Sequence, residues 1–536
     1  MKFFEKMMAL LLSLAAVLSF AMPAFAEDGL APTAAGTHTI TISFEKPGHE
    51  YVAYQVFKGD YYKAESDGKE HLSNIEWGNG VNGVGLLKDL QSEEDFKNAK
   101  TAADVADILA GYGDSSKDLD AFAKVVAKYL NNTIAGTSHP EASVDKNGKY
   151  VYKITGLSDG YYFVKDNNKL SADANDANTK YILQVLGNVE INAKADVPDI
   201  EKKITNADGT NPRKGDSYNV GDTVYFELTS KVPDMDGYDS YTYKVTDTLS
   251  NGLTLVQENG KPKVTVTIGG EKYEEFKATL NKNTLTIDFS DFIAQKENKG
   301  EIVIRYAAVL NEKALQEDEE NNSVYLEYSN DPNSTGTGKT TEKKTYVYNF
   351  DIDIVKHETG DKDKLLSGAE FVLYRLNSQK EKEYYNYTDK KETEWKKLDH
   401  DNLETIRAAV NEKTITSKTT KNGKVSFTGL KAGTYYLQEI KAPDGYNLPA
   451  DAEATTTVEI VPAYNADGTI DLENQSVIVK GTDHMYVTAD IANKPGPVLP
   501  STGGIGTTIF YVLGGILTVA AIVLLIVKKR MENTKR

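Results

Sequence analysis

The sequence has no cysteine and, in 536 residues, only seven histidines, two tryptophans and fifteen prolines. Without thiols there is no disulfide, no thiolate nucleophile and no cysteine-based metal site. The histidines, at 38, 49, 71, 139, 357, 400 and 484, form no His-x-x-x-His pair for zinc. Positive charge is also short: 61 Lys and Arg against 79 Asp and Glu leave a net charge of −18, the wrong sign for a nucleic-acid partner. No glycine loop resembles a phosphate cradle. PDMDGYDSY (233–241) and SADANDAN (171–178) alternate acids, but lack the order and distal glutamate of a calcium loop. The expectation is a chain with no metal, no cofactor and no enzymatic turnover of an outside substrate.

Long apolar runs occur only near the two ends. Lys2 and Lys6 precede MMALLLSLAAVLSFAM and then PAFAED, where Ala24 and Ala26 give the small-x-small pattern of a secretory signal peptide cut after Ala26. Near the other end LPSTGG precedes IGTTIFYVLGGILTVAAIVLLIV (505–527) and then KKR. That run is long enough to cross a hydrocarbon core of about 30 Å, and the basic cluster marks its cytoplasmic side. Roughly 460 residues would then lie outside the cell, enough for about three domains. An exported chain without disulfides needs large cores or another covalent device.

Between the ends the pattern is short alternating runs such as THTITISF, YVYKITGL, TVYFEL, EIVIRY, FDIDIVK and MYVTADI, separated by Gly, Asn, Asp and Pro clusters. This predicts an all-β fold of tandem Ig-like β-sandwiches. Helical periodicity is confined to SEEDFKNAKTAADVADILAGYG with LDAFAKVVAKYLNN, and to LETIRAAVNE, read as minor insertions. KADVPD near 196 and the polar stretch NDPNSTGTGKTTEKK (330–344) read as joints. The expected organisation is a signal peptide (1–26), three domains (27–195, 196–345 and 346–498) and a terminal sorting segment (499–536).

LPSTGG, the apolar span and KKR resemble the cell-wall sorting signal of Gram-positive surface proteins. The body resembles the backbone, or major, pilin of sortase-assembled pili. FDIDIVK, GKVSFTGLKAGTYYLQEIKAPDGY and YVTADIANK look like a Cna-B-type domain; PDIEKKI, YKVTDTLSNGLT and YLEYSNDPN look like a pilin middle domain; TITISF, HEYVAYQVFKGDYY and YKITGLSDGYYFVKD look like an N-terminal pilin domain. The resemblance implies that a class C pilus sortase recognises Leu499, Pro500, Ser501, Thr502 and Gly503, cuts after Thr502 and passes its carbonyl to a lysine of another copy. In NVEINAK, Val189, Ile191 and Lys194 keep the spacing of the family motif Val-x-Val-Tyr-Pro-Lys, although Asn192-Ala193 replaces Tyr-Pro. Lys194 is therefore the expected intermolecular lysine, with Lys169, Lys180 and Lys203 as alternatives. A housekeeping sortase, peptidoglycan, minor pilins and host surface glycoproteins complete the implied partners.

The family also carries internal Lys–Asn isopeptide bonds assisted by a buried acid, and strand alternation nominates the lysines. Phe350, Ile352, Ile354 and Lys356 share a face; so do Ile200, Lys202 and Ile204, which leaves Lys203 facing water. A lysine aimed into a core is abnormal unless paired or consumed. The resemblance then implies Asn330, ending the alternation Val324, Leu326, Tyr328, as partner of Lys202, and Asn493 as partner of Lys356. Asp247 and Glu439 would be the catalytic acids. Plain buried salt bridges are the alternative. In the first domain Lys165 falls where Glu439 does in the third, so two bonds are expected, not three. The rival functions are a monomeric wall-anchored adhesin and, from another class, a wall-anchored enzyme.

Overall fold

The computed structural model describes residues 38–534 except 64–69, 113–116, 171–174, 186–188, 194–196, 451–453, 474–476, 483, 498 and 500–504. Strand pairing falls into three consecutive stretches, each with two main sheets, the middle one adding a two-stranded ribbon of Gln257–Glu258 with Lys261–Pro262. In the first, His38–Phe44 pairs antiparallel with Tyr150–Leu157 and parallel with Val189–Asn192. Facing it, Tyr51–Lys63 pairs with Glu70–Trp77 and Tyr161–Asp166. The inward residues Ile40, Ile42, Tyr51, Ala53, Tyr152 and Ile154 are fully buried. The helices Gly83–Leu90, Ala102–Leu109 and Lys117–Lys128 build a second core with Val56, Phe57 and Phe163. A Thr101–Asp104 capping box starts the second of these helices, satisfying backbone donors at its first turn.

In the middle stretch Glu201–Thr205, Thr223–Lys231 and Glu301–Leu310 lie in one sheet, and Tyr243–Leu249, Glu320–Ser329 and Lys343–Tyr348 in the other. Alternation is strict in Glu301–Leu310, where Ile302, Ile304, Tyr306, Ala308 and Leu310 face inward. The polar stretch 330–344, expected as a joint, instead supplies the strand Thr337–Lys339 and the start of Lys343–Tyr348. Threonine and paired lysines suit a strand whose other face is wet, and composition alone hid that. Asn349 is all that separates this sheet from the next strand, Phe350–Glu358.

In the last stretch Phe350–Glu358 runs parallel to Met485–Asn493 and antiparallel to Lys424–Leu430. The opposing sheet is centred on Glu370–Leu376 and Gly433–Lys441. The helix Leu403–Asn411 packs Ile406 and Ala409 on the outside of that sheet against Val372, Tyr384 and Ile440. A single helix, Ile505–Asn533, contains the apolar span and continues through the basic cluster. Among the described residues it is the one helix long and apolar enough to cross a membrane.

Candidate functional site

In the last stretch, Lys356 ends the inward face of its strand and is fully buried. It stands opposite Ile491 in the parallel register, so Asn493, two residues on and facing the same way, is its diagonal neighbour. Glu439 comes from the facing sheet, opposite Phe371. Lys356 Nζ donates to Glu439 Oε2 at 3.1 Å and to Asn493 Oδ1, while Asn493 Nδ2 donates to Glu439 Oε1 at 2.8 Å. The carboxyl thus spans the amine and the amide. Burial pushes the Lys356 amine down and the Glu439 carboxyl up, each partly offset by the other's charge. Both shifts favour the neutral amine and the protonated acid.

The middle stretch holds a second cluster, made differently. Lys202 is 1% exposed and its ammonium lies 5.0 Å from the Phe226 ring centroid and 5.2 Å from that of Tyr306. Its Nζ donates to Asp247 Oδ2, and to the Tyr306 hydroxyl at 2.5 Å. Tyr306 donates to Asp247 Oδ2 at 2.6 Å and accepts from Asn322 Nδ2 at 2.9 Å. Burial again lowers the lysine and raises Asp247 and Tyr306. Lys202 and Tyr306 belong to one sheet, Asp247 and Asn322 to the other.

Asn330 is not in this cluster, which corrects the Lys202–Asn330 pairing expected from the sequence. Asp247 stands opposite Val324, so Asn330, six residues further along, lies about 20 Å away. Its carbonyl instead accepts from Asn178 N at 2.7 Å, tying the middle stretch to the first. Asn322 and Asn330 share the same inward face, so alternation could not separate them. The antiparallel register decides, because it puts the Asp247 end of Tyr243–Leu249 against the start of Glu320–Ser329, with Leu249 opposite Asn322. Tyr306 was also missed in the sequence, where it reads as one more inward aromatic.

The first stretch carries a third buried polar cluster, without lysine. His49 Nδ1 lies 2.7 Å from Asp166 Oδ2 and Nε2 lies 3.1 Å from Asp176 Oδ2. The Tyr152 hydroxyl accepts from His49 N at 3.3 Å, and the Tyr51 ring stacks on the imidazole. Burial pulls the imidazolium down, but the hydrogen bonds and charges of the two aspartates outweigh it and push the pKa up to about 9. Lys165, half-buried on the same strand as Asp166, takes no part in it. Of the remaining expected site residues, Leu499 is exposed, whereas Ala26, Lys194, Pro500, Ser501, Thr502 and Gly503 lie outside the described residues. Among the described residues no group of His, Cys, Asp and Glu is arranged to hold a metal.

Fold and clusters define a class of protein: tandem β-sandwiches, two of which seal a lysine, a carboxyl and an asparagine in their cores, ahead of an apolar helix with a basic end. Known proteins narrow it. Residues 351–476 match the SpaA family, described as a prealbumin-like fold domain, and 492–533 match the LPXTG cell wall anchor motif. The chain is 25% identical over 417 residues to the trypsin-resistant surface T6 protein of Streptococcus pyogenes serotype M6, covering 63% of this chain and 70% of that one. It is 27% identical over 362 residues to fimbrial subunit type 2 of Actinomyces naeslundii, 62% of each, so it spans less than two thirds of that relative's length. The solved T6 backbone pilin of Streptococcus pyogenes serotype M6 superposes with a TM-score of 0.51 at 17% identity, over 87% of this chain and 100% of that chain, a likeness of fold. The chain is thus similar to a surface protein and a fimbrial subunit, and its C-terminal segment matches the LPXTG cell wall anchor motif.

Proposed function

We propose that the chain is the shaft subunit of a covalent pilus. A class C sortase cuts between Thr502 and Gly503 and transfers the Thr502 carbonyl to Lys194 of another copy, and a housekeeping sortase joins the finished polymer to peptidoglycan. Each subunit is locked internally by isopeptide bonds between Lys356 and Asn493 and, in the amended pairing, between Lys202 and Asn322. The observation that carries this reading is the pair of buried amine–carboxyl–amide clusters in a wall-anchored chain. A shaft under tension needs load-bearing cross-links, and this sequence has no cysteine to make them.

The chemistry runs once per domain. The lysine proton passes to the carboxylate, which burial favours on both sides; the neutral Nζ then attacks Cγ of the asparagine amide. The new C–N bond forms, Nδ2 takes a proton from the acid and leaves as ammonia when the Cγ–Nδ2 bond breaks, and Nζ gives its surplus proton back to the carboxylate. Amides are poor electrophiles, so the rate comes from enforced contact, where effective molarities offset about 7–11 kcal/mol of barrier. Folding supplies that contact.

Two measurements test the reading. Intact-mass spectrometry of the mature protein is expected to find two ammonia losses; none would leave the clusters as salt bridges. Denaturing gels of cell-wall extracts are expected to show a ladder of polymers that collapses to monomer in a Lys194→Ala strain. A single band from the unaltered strain would make the chain a monomeric wall-anchored protein instead.

A further inference from the structure

The two lysine clusters solve one geometric problem with different parts. In the last domain the glutamate carboxyl reaches both reacting groups itself, Oε2 to Lys356 Nζ at 3.1 Å and Oε1 to Asn493 Nδ2 at 2.8 Å. The acid of the middle domain is an aspartate, one methylene shorter. Its Oδ2 takes the lysine and the tyrosine, and although Asn322 lies near enough to favour the charged carboxylate, the hydrogen bond from Asn322 Nδ2 goes to the Tyr306 hydroxyl. That hydroxyl touches all three groups, Lys202 Nζ at 2.5 Å, Asp247 Oδ2 at 2.6 Å and Asn322 Nδ2 at 2.9 Å. Its ring is held by stacking on Phe226 at 5.4 Å between centroids, and the side chain is shut off from solvent.

We infer that Tyr306 is a catalytic residue of the middle domain: its hydroxyl, which holds the hydrogen bond from Asn322 Nδ2, relays the proton between Asp247 and the departing Asn322 nitrogen. This rests on the proposed Lys202–Asn322 bond. The direction of the hydrogen bonds fits the order of events. An amide nitrogen has no lone pair to offer, so before reaction Nδ2 can only donate to the tyrosine oxygen, as it does. Once Lys202 Nζ has bonded to Cγ, Nδ2 is a tetrahedral amine and can accept. The tyrosine then gives its proton to Nδ2 and takes one from protonated Asp247 Oδ2. The Cγ–Nδ2 bond breaks, ammonia leaves, and the proton shed by Nζ as the new amide forms returns to Asp247. The tyrosine ends as it began, and the acid ends protonated, holding the second of the two protons that Nζ has shed. A phenol otherwise hard to ionise suits this role, because it never has to hold the negative charge as a resting state.

The test is Tyr306→Phe in the full mature chain, read by peptide mapping of each domain at set times after refolding. The unaltered protein must first show the Lys202–Asn322 link; its absence there would refute the proposed bond and not the tyrosine's part in it. In Tyr306→Phe the middle-domain link is expected to form at least tenfold more slowly, while the Lys356–Asn493 link forms as before and reports a folded chain. Asp247→Glu placed on Tyr306→Phe is expected to restore the link, because the longer acid reaches into the space the hydroxyl leaves. A purely structural tyrosine would not be rescued in this way. Formation at the unaltered rate in Tyr306→Phe, or a folded double variant with no link, would overturn the relay.

Discussion

At the scale of single residues, the polar groups that matter are ones a hydrophobic core should not contain. Lys202, Asp247 and Asn322 are at most 1% exposed, as are Lys356 and Asn493, and Glu439 is 2% exposed. Burying such groups costs several kcal/mol each unless they are paired or converted to something neutral, and an amide is neutral. The amended middle-domain partner gives a sharp discriminator: Asn322→Ala is expected to remove one of the two ammonia losses, whereas Asn330→Ala leaves both. The reverse result would reinstate Asn330. His49 gives a pH prediction. Its folded pKa is raised to about 9 from about 6.5 in an unfolded chain, so its contribution is complete below about pH 6.5 and is lost as pH rises through 9. Asp166 and Asp176 face it as the acids, with Tyr51 and Tyr152 beside them. In urea unfolding followed by Trp77 fluorescence, the gap between the native protein and His49→Gln should narrow from pH 7 to pH 10. A gap independent of pH would show that the imidazole acts by packing alone.

At the scale of elements, the two proposed bonds differ in what they join. Lys356 and Asn493 lie on neighbouring parallel strands of one sheet, the first and last of their domain. Lys202 and Asn322 lie on opposite sheets, so that bond would pin the sandwich through its core. In the last domain the bridged residues are 137 apart, and closing so long a loop stabilises by about 5 kcal/mol in the chain-entropy model. Glu439→Gln keeps the shape of the acid and removes its proton transfers. It should yield a folded chain without the Lys356–Asn493 link, whose last domain melts about 10–20 °C lower by scanning calorimetry. An unchanged melting profile in a chain proven to lack the link would mean that the bond adds no thermal stability.

At the scale of the molecule, the joints are made by backbone as much as by side chains. Val220 N donates to Gly429 O at 3.1 Å and Thr393 N to Val220 O at 2.7 Å, so a loop of the middle domain is stitched into the last one. Lys391–Glu312 and Lys480–Asp318 add ion pairs across the same joint. At the other joint, Asn178 meets Asn330, and Asp176, which pairs with His49, accepts from the Tyr328 hydroxyl through its carbonyl. The load path follows from where the cross-links sit. In the last domain tension would enter through Phe350–Lys356, cross at Asn493 and leave, shielding everything between. In the middle domain the chain beyond Asn322 stays outside the link, held only by the strands Glu320–Ser329 and Lys343–Tyr348 against their neighbours. Single-molecule pulling of the mature chain should therefore show one short release in the middle domain, about 90 Å for the residues after Asn322, and none from the last. Full extension of the last domain would exclude its cross-link.

Much of this protein was legible in the sequence because it depends on local order. The β-rich class, the inward faces of Lys202 and Lys356 and the wall anchor follow from a period of two, a motif and a span length, while the acids Asp247 and Glu439 came only from the resemblance. The resemblance to pilins put those pieces in their order. Asn493 was within reach because the strand that holds it ends there. Asn322 and Tyr306 were not, because alternation says which face a side chain takes and nothing about which point of the facing sheet it meets. That depends on register and on how two sheets pack, which are properties of pairs of strands far apart in the chain. The same limit hid the strand inside the polar stretch 330–344 and the histidine–aspartate cluster, whose histidine lies more than a hundred residues from either aspartate. The sequence by itself determined which side chains enter the cores; only the tertiary structure decided which of them touch.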